Sequence, residues 1–122
     1  LCVNATETHK LDLFVIGKAA CPRSFPKSFQ PKCDLNVRCA HKTAWMTASE
    51  YATWIRGVNA DMKQKHRRGL MLTDNAPTHM VTDADVEEEH GFKVINLSHL
   101  KLVFLLANTT SVVQPLDQGI IA

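Results

Sequence analysis

Leu70-Met71-Leu72-Thr73-Asp74-Asn75-Ala76-Pro77-Thr78-His79 is the stretch on which the reading of this chain turns. A short run of apolar and β-branched residues meets an aspartate, and a polar loop containing proline follows. Such a run, bounded by turn residues, predicts a strand. An aspartate closing that strand is held rigidly at the edge of a sheet. In open α/β sheets, ligands collect at the carboxyl ends of the strands.

The flanking sequence supplies the other elements. Upstream, Thr47-Ala48-Ser49-Glu50 fits a capping box. Tyr51, Trp54, Ile55, Val58 and Met62 then recur at helical spacing, so a helix is predicted over residues 47–68 with one apolar face. Lys63, Lys65, His66, Arg67 and Arg68 crowd its far end, where positive charge suits the helix dipole. Clusters of this kind also bind DNA or act as nuclear signals. Gly69 is the expected stop.

Downstream, Thr82 with Asp83 and Asp85 reads as an N-cap and acidic first turn. That predicts a second helix through His90, ended by Gly91, with Glu87, Glu88 and Glu89 on a solvated face. A short strand is expected at 94–97. Residues 100–106 are nearly continuous in Leu, Val and Phe, as in a buried parallel strand. Asn108-Thr109-Thr110-Ser111 breaks that strand. Asp117, between Pro115 and Gly119, lies where a loop turns into a helix.

The first residues predict a hairpin, with strands over 1–5 and 11–19 joined by the polar residues 4–10. Pro22, Pro26 and Pro31 mark an irregular connection with one short strand at 35–38. The order predicts an α/β fold with a mixed sheet.

Composition narrows the function classes. The chain has 122 residues, 45% of them hydrophobic and 21% charged, which is the make-up of one globular domain. A net charge of +2 is too weak to argue nucleic-acid binding by itself. The longest apolar run falls far short of a membrane span. The cysteines (Cys2, Cys21, Cys33, Cys39) form no CxxC pair, and Cys33, Cys39 and His41 match no common zinc template, so free thiols are expected. Gly17-Lys18 has no Gly-rich lead, and neither GxSxG nor HExxH occurs.

What remains is carboxylate chemistry. Acidic groups gathered at one edge of a mixed sheet can hold two Mg²⁺ ions on either side of a phosphodiester. Asp74 and Asp117 are the candidates, and a working site wants a third carboxylate. The bland alternative for each is a strand-end or capping residue. His79, close to Asp74, is placed to approach the metals or a substrate phosphate, or is simply a loop histidine.

Several segments fall in one familiar order: Asn4-Ala5-Thr6, Val15-Ile16-Gly17-Lys18 with Pro22-Arg23 and Phe25, Ala44-Trp45-Met46-Thr47, Leu72 through His79, and Asn108-Thr109-Thr110-Ser111 through Gln114-Pro115-Leu116-Asp117-Gln118-Gly119-Ile120-Ile121. Together they resemble the DDE superfamily endonuclease domain of pogo/Tigger-type transposases, whose relatives include the jerky and centromere-binding protein families.

The resemblance implies an RNase H-like mixed sheet flanked by helices, with residues 1–122 forming a partial domain. It implies a Mg²⁺ (or Mn²⁺) acid triad in which Asp74 is the second carboxylate and Asp117 the third. Asn75 and His79 would then be substrate-side neighbours, and Tyr51, Trp54 and Ile55 would pack the long helix on the sheet. It places the first Asp on a strand upstream of Leu1. The expectation is therefore a fragment cut inside elements at both ends, lacking the first strand region and the C-terminal helix. Such a chain is inactive alone, while its intact parent cuts and joins DNA in the nucleus. The alternatives are a domesticated, non-catalytic DNA-binding or chromatin protein and a decayed relic.

Overall fold

The computed structural model describes residues 2–6, 8–19, 23, 24, 26, 28, 37–40, 43–81 and 84–109. The chain divides into two compact units, Leu1–Met46 and Thr47–Ala122.

In the first unit, Val3 and Lys10 form an antiparallel bridge. Asn4 organises the turn between them. Its Oδ1 accepts from the His9 amide at 2.8 Å, and its Nδ2 donates to Thr6 Oγ1 at 2.9 Å and Thr8 Oγ1 at 3.0 Å. The predicted hairpin is thus present at its tip. Of the strand expected over 11–19, Leu11 still bonds across the hairpin, its amide donating to Cys2 O at 2.9 Å, whereas β1 (Val15–Gly17) pairs in parallel with β2 (Val37–Ala40). Beside the bridge, burial pushes the thiol of the free Cys2 up from its ordinary range. Cys33 and His41 lie outside the described residues.

The second unit is built around helix α1 (Ala48–Gln64). Its start follows the predicted box: Thr47 Oγ1 accepts from the Glu50 amide at 3.3 Å, and the Glu50 carboxylate accepts from the Thr47 amide at 3.1 Å. Tyr51, Ala52, Ile55 and Val58 are buried, the face that the periodicity predicts. The end of the helix differs from expectation. Lys65 is the C-cap, and His66 follows in the left-handed region at φ 52°. The His66 amide donates to Lys63 O at 3.1 Å and the Arg67 amide to Met62 O at 2.9 Å, which is the Schellman pattern. Gly69 is not the stop.

Gly69 instead begins strand β3 (Gly69–Thr73). A Cβ there would lie 3.3 Å from Leu100 Cδ1 and 3.8 Å from Met62 Sδ, so glycine allows the helix end and two strands to meet. β3 pairs in parallel with β6 (Leu100–Phe104) from Gly69↔Leu100 to Thr73↔Phe104. Leu100, Leu102 and Phe104 are buried on the face toward α1, where Ile95 joins them. Asn59 ties the helix to the sheet: its Oδ1 accepts from the His99 amide at 2.9 Å. On the opposite face of β3, Leu70 and Leu72 stay exposed.

The expected helix through His90 is a strand. β4 (Glu87–Glu89) and β5 (Phe92–Asn96) form an antiparallel hairpin, and β5 pairs antiparallel with β6. The order is β3-β6-β5-β4. His90 (φ 53°) and Gly91 (φ 81°) are both left-handed, as a two-residue hairpin turn of the I′ kind requires. Gly91 therefore marks a turn, not a helix end. The glutamates are accommodated by partners across the sheet. Lys93 stands opposite Glu88 in register, Asn96 Nδ2 donates to Glu87 at 2.7 Å, and Lys101 Nζ bonds Glu89. Thr82 and Asp83 lie outside the described residues. The result is mixed α/β, as predicted, but the described residues contain one helix rather than helices flanking the sheet. No helix among them is long and apolar enough to cross a membrane.

Two outcomes follow. His66→Gly removes the left-handed penalty on a side chain and should raise unfolding stability by about 1 kcal/mol, seen as a higher urea midpoint. The second concerns acid. The hydrogen bond from Lys101, then that from Asn96, holds the Glu89 carboxyl below its ordinary range. A depressed folded pKa stabilises fully above the unfolded value of about 4.3 and is lost as pH falls through the folded value. Wild type should therefore exceed Glu89→Gln in urea midpoint at neutral pH by a small, salt-sensitive margin that closes on acidification.

Candidate functional site

Asp74 directly follows β3, so it stands at the carboxyl end of a strand in a parallel pair. The loop after it is built by local chemistry. Asp74 Oδ1 accepts from the Ala76 amide at 3.3 Å, an Asx turn. The His79 amide then donates to Ala76 O at 2.9 Å, closing a β-turn with Pro77 at its second position, where the fixed φ of proline fits. Together the two turns bring the His79 side chain back to the aspartate, and His79 Nδ1 bonds Asp74 Oδ1. Both side chains are about one-quarter exposed, 25% for His79 and 27% for Asp74.

Helix α1 supplies the other wall. The Tyr51 ring stacks on His79 with centroids 4.6 Å apart and planes 23° from parallel. The Tyr51 hydroxyl donates to Thr73 Oγ1 at 3.3 Å, and Thr73 Oγ1 lies 3.4 Å from His79 Nδ1. Because Thr73 pairs with Phe104, the loops leaving β3 and β6 run side by side, joined by the Leu105 amide donating to Thr73 O at 2.8 Å. The second loop turns at Asn108, left-handed at φ 63°, a conformation asparagine tolerates. Between the loops lies an open cleft of about 320 Å³ lined by Asp74, Asn75, Ala76, Leu106, Ala107 and Asn108.

Of the four residues singled out in the sequence, the structure brings Asp74 and His79 into contact and places Asn75 beside them at the cleft, exposed. Asp117 lies outside the described residues. Among the described residues, no three Asp, Glu, His or Cys side chains gather into a metal-sized cluster. A hard divalent cation nevertheless fits the donor chemistry of Asp74. Oδ1 is engaged by two donors, and among the described residues no donor reaches Oδ2. Tyr51, Thr73 and Asn108 were not visible as site residues in the sequence. In the sequence Tyr51 reads only as a core position, and helical period does not tell which ring a buried aromatic touches.

Comparison with known proteins gives the chain its family. The DDE superfamily endonuclease family matches residues 1–122, and the chain belongs to that family. It is 28% identical to human Jerky protein homolog over 123 residues, covering 98% of this chain and 21% of that protein. It is 27% identical to human Tigger transposable element-derived protein 7 over 139 residues, covering 99% of this chain and 22% of that protein. It is 30% identical to CENP-B homolog protein 2 of Schizosaccharomyces pombe over 122 residues, covering 99% of this chain and 23% of that protein. The chain thus spans about a fifth of the length of these relatives. No solved structure matches it.

The turn that returns His79 to Asp74 is testable by itself. Pro77→Ala should lower stability by about 0.4–1 kcal/mol, because the unfolded chain gains freedom. The His79 amide, bonded to Ala76 O, should lose hydrogen-exchange protection before the amides of β6 do.

Proposed function

We propose that this chain is part of the catalytic domain of an RNase H-like DDE endonuclease that cuts and transfers DNA strands. The observation that carries the reading is the position of Asp74. In a chain matched by the endonuclease family from end to end, it follows a parallel strand at its carboxyl end and lines an open cleft.

Asp74 and Asp117 are the residues that would hold Mg²⁺ or Mn²⁺. Such ions, when bound, polarise an attacking water or hydroxyl and stabilise the leaving oxygen of a phosphodiester. The protein's own groups orient the reaction. The strand end fixes the Asp74 backbone, and the Asx turn with His79 fixes its carboxylate. Asn75, exposed at the cleft, offers an amide to a phosphate or sugar. With Nδ1 committed to Asp74, His79 has Nε2 left for substrate.

Residues 1–122 form a partial domain in this reading, and the whole polypeptide works on DNA in the nucleus. The exposed basic residues Lys63, His66, Arg67 and Arg68 support that partner and place. By itself the chain is inactive in this reading, because two-metal chemistry wants a third carboxylate beside Asp74 and Asp117.

Nicking of supercoiled plasmid tests this. With Mg²⁺, a longer polypeptide containing this chain should nick, and both Asp74→Asn and Asp117→Asn should reduce nicking to background. The 122-residue chain should give none. Nicking by the chain alone that depends on Asp74 would overturn its inactivity. Tight DNA binding by the longer polypeptide without cleavage would replace the enzyme with a non-catalytic DNA-binding protein.

A further inference from the structure

The ring stack between α1 and the loop after β3 has no role in the reading above. Tyr51 is 4% exposed, so the helix core already buries it. Its ring stacks on His79, and its hydroxyl reaches Thr73, the residue before Asp74. A buried tyrosine at this position holds both the residue behind the aspartate and the imidazole in front of it.

We infer that Tyr51 and His79 are positioning residues for Asp74, resting on the endonuclease reading of that site. His79 Nδ1 must donate, because its partner is a carboxylate oxygen, so the neutral ring carries its proton on Nδ1. Free imidazole side chains favour the Nε2 proton, and a structure-imposed reversal is the kind of tautomer control that a hydrogen-bonded partner exerts. Tyr51 restricts rotation of the ring, which keeps Nδ1 on Oδ1. With Oδ1 taken by His79 and the Ala76 amide, Asp74 offers a cation Oδ2 alone. The carboxylate is thereby turned to bind through one oxygen, which suits an ion that retains several waters.

The test separates the donor from the stack in the full chain, with two readouts. Long-range ¹H–¹⁵N spectra of the His79 ring at neutral pH report the tautomer. Electron paramagnetic resonance of added Mn²⁺ reports affinity at Asp74. The wild-type ring should show the Nδ1–H tautomer, and Tyr51→Leu should let it drift toward Nε2–H, while Tyr51→Phe should keep it. His79→Phe, which retains a stacking ring but no donor, should weaken Mn²⁺ binding by about tenfold or more. His79→Asn, whose amide nitrogen stands near the position of Nδ1, should restore most of it.

An Nε2–H ring in the wild type would overturn the inference. So would wild-type Mn²⁺ affinity in a folded His79→Phe. Chemical denaturation of each variant identifies a mere folding defect, which would weaken His79→Asn as much as His79→Phe and so would also overturn it. If Asp74→Asn and wild type bind Mn²⁺ equally poorly, yet the ring is Nδ1–H and Tyr51→Leu releases it, the metal-site reading fails and the positioning geometry stands.

Discussion

The parallel pairing of β3 with β6 is the constraint on which the second unit depends. It aligns Thr73 with Phe104, so two loops leave the sheet from neighbouring strand ends. Everything at the cleft is a consequence of that register. Parallel neighbours require a crossover, and here the crossover contains a hairpin that joins the same sheet. The hairpin closes β6 on its second side and makes it a central strand, which accounts for the burial of Leu100, Leu102 and Phe104.

The helix has two roles in this arrangement. Ile55 and Val58 contribute to the core, and burying them is what makes a helix of this length stable. Tyr51 and Asn59 act at opposite ends of the sheet. Asn59 holds the turn before β6, and Tyr51 holds the loop after β3. One amphipathic helix thus sets both the entry to the central strand and the geometry around Asp74. The Asp74 loop adds its own restraint, since an Asx turn followed by a proline turn leaves His79 little choice of direction.

Local signals were legible where they were self-contained. Thr47 and Glu50 satisfy each other's backbone amides across three residues, so the capping box needs no tertiary help. The apolar run at β6 was legible because a buried strand admits few other residues, and that at β3, whose Leu70 and Leu72 are exposed, because turn residues bound it. Residues 82–91 were not. Five residues rich in glutamate suit a helix by propensity, and a glycine after them suits its end. Lys93, Asn96 and Lys101 decide otherwise, because cross-strand partners make a strand tolerable for acidic residues. Gly69 misled for a related reason. Its small size serves a close approach of strands and helix, while His66 takes the left-handed position that glycine usually fills.

The sequence alone determined the family, the long helix, the two apolar strands and a strand-end Asp74 followed by a turn-forming loop that carries His79. These depend on short-range chemistry: caps, turns, and the exclusion of polar groups from a core. Only the tertiary structure decided that β4 is a strand, that Tyr51 lies on His79, and that Asn108 shares a cleft with Asp74. Each of these joins residues distant in the chain. Their contact is a property of register and packing, which the residue types permit but do not specify.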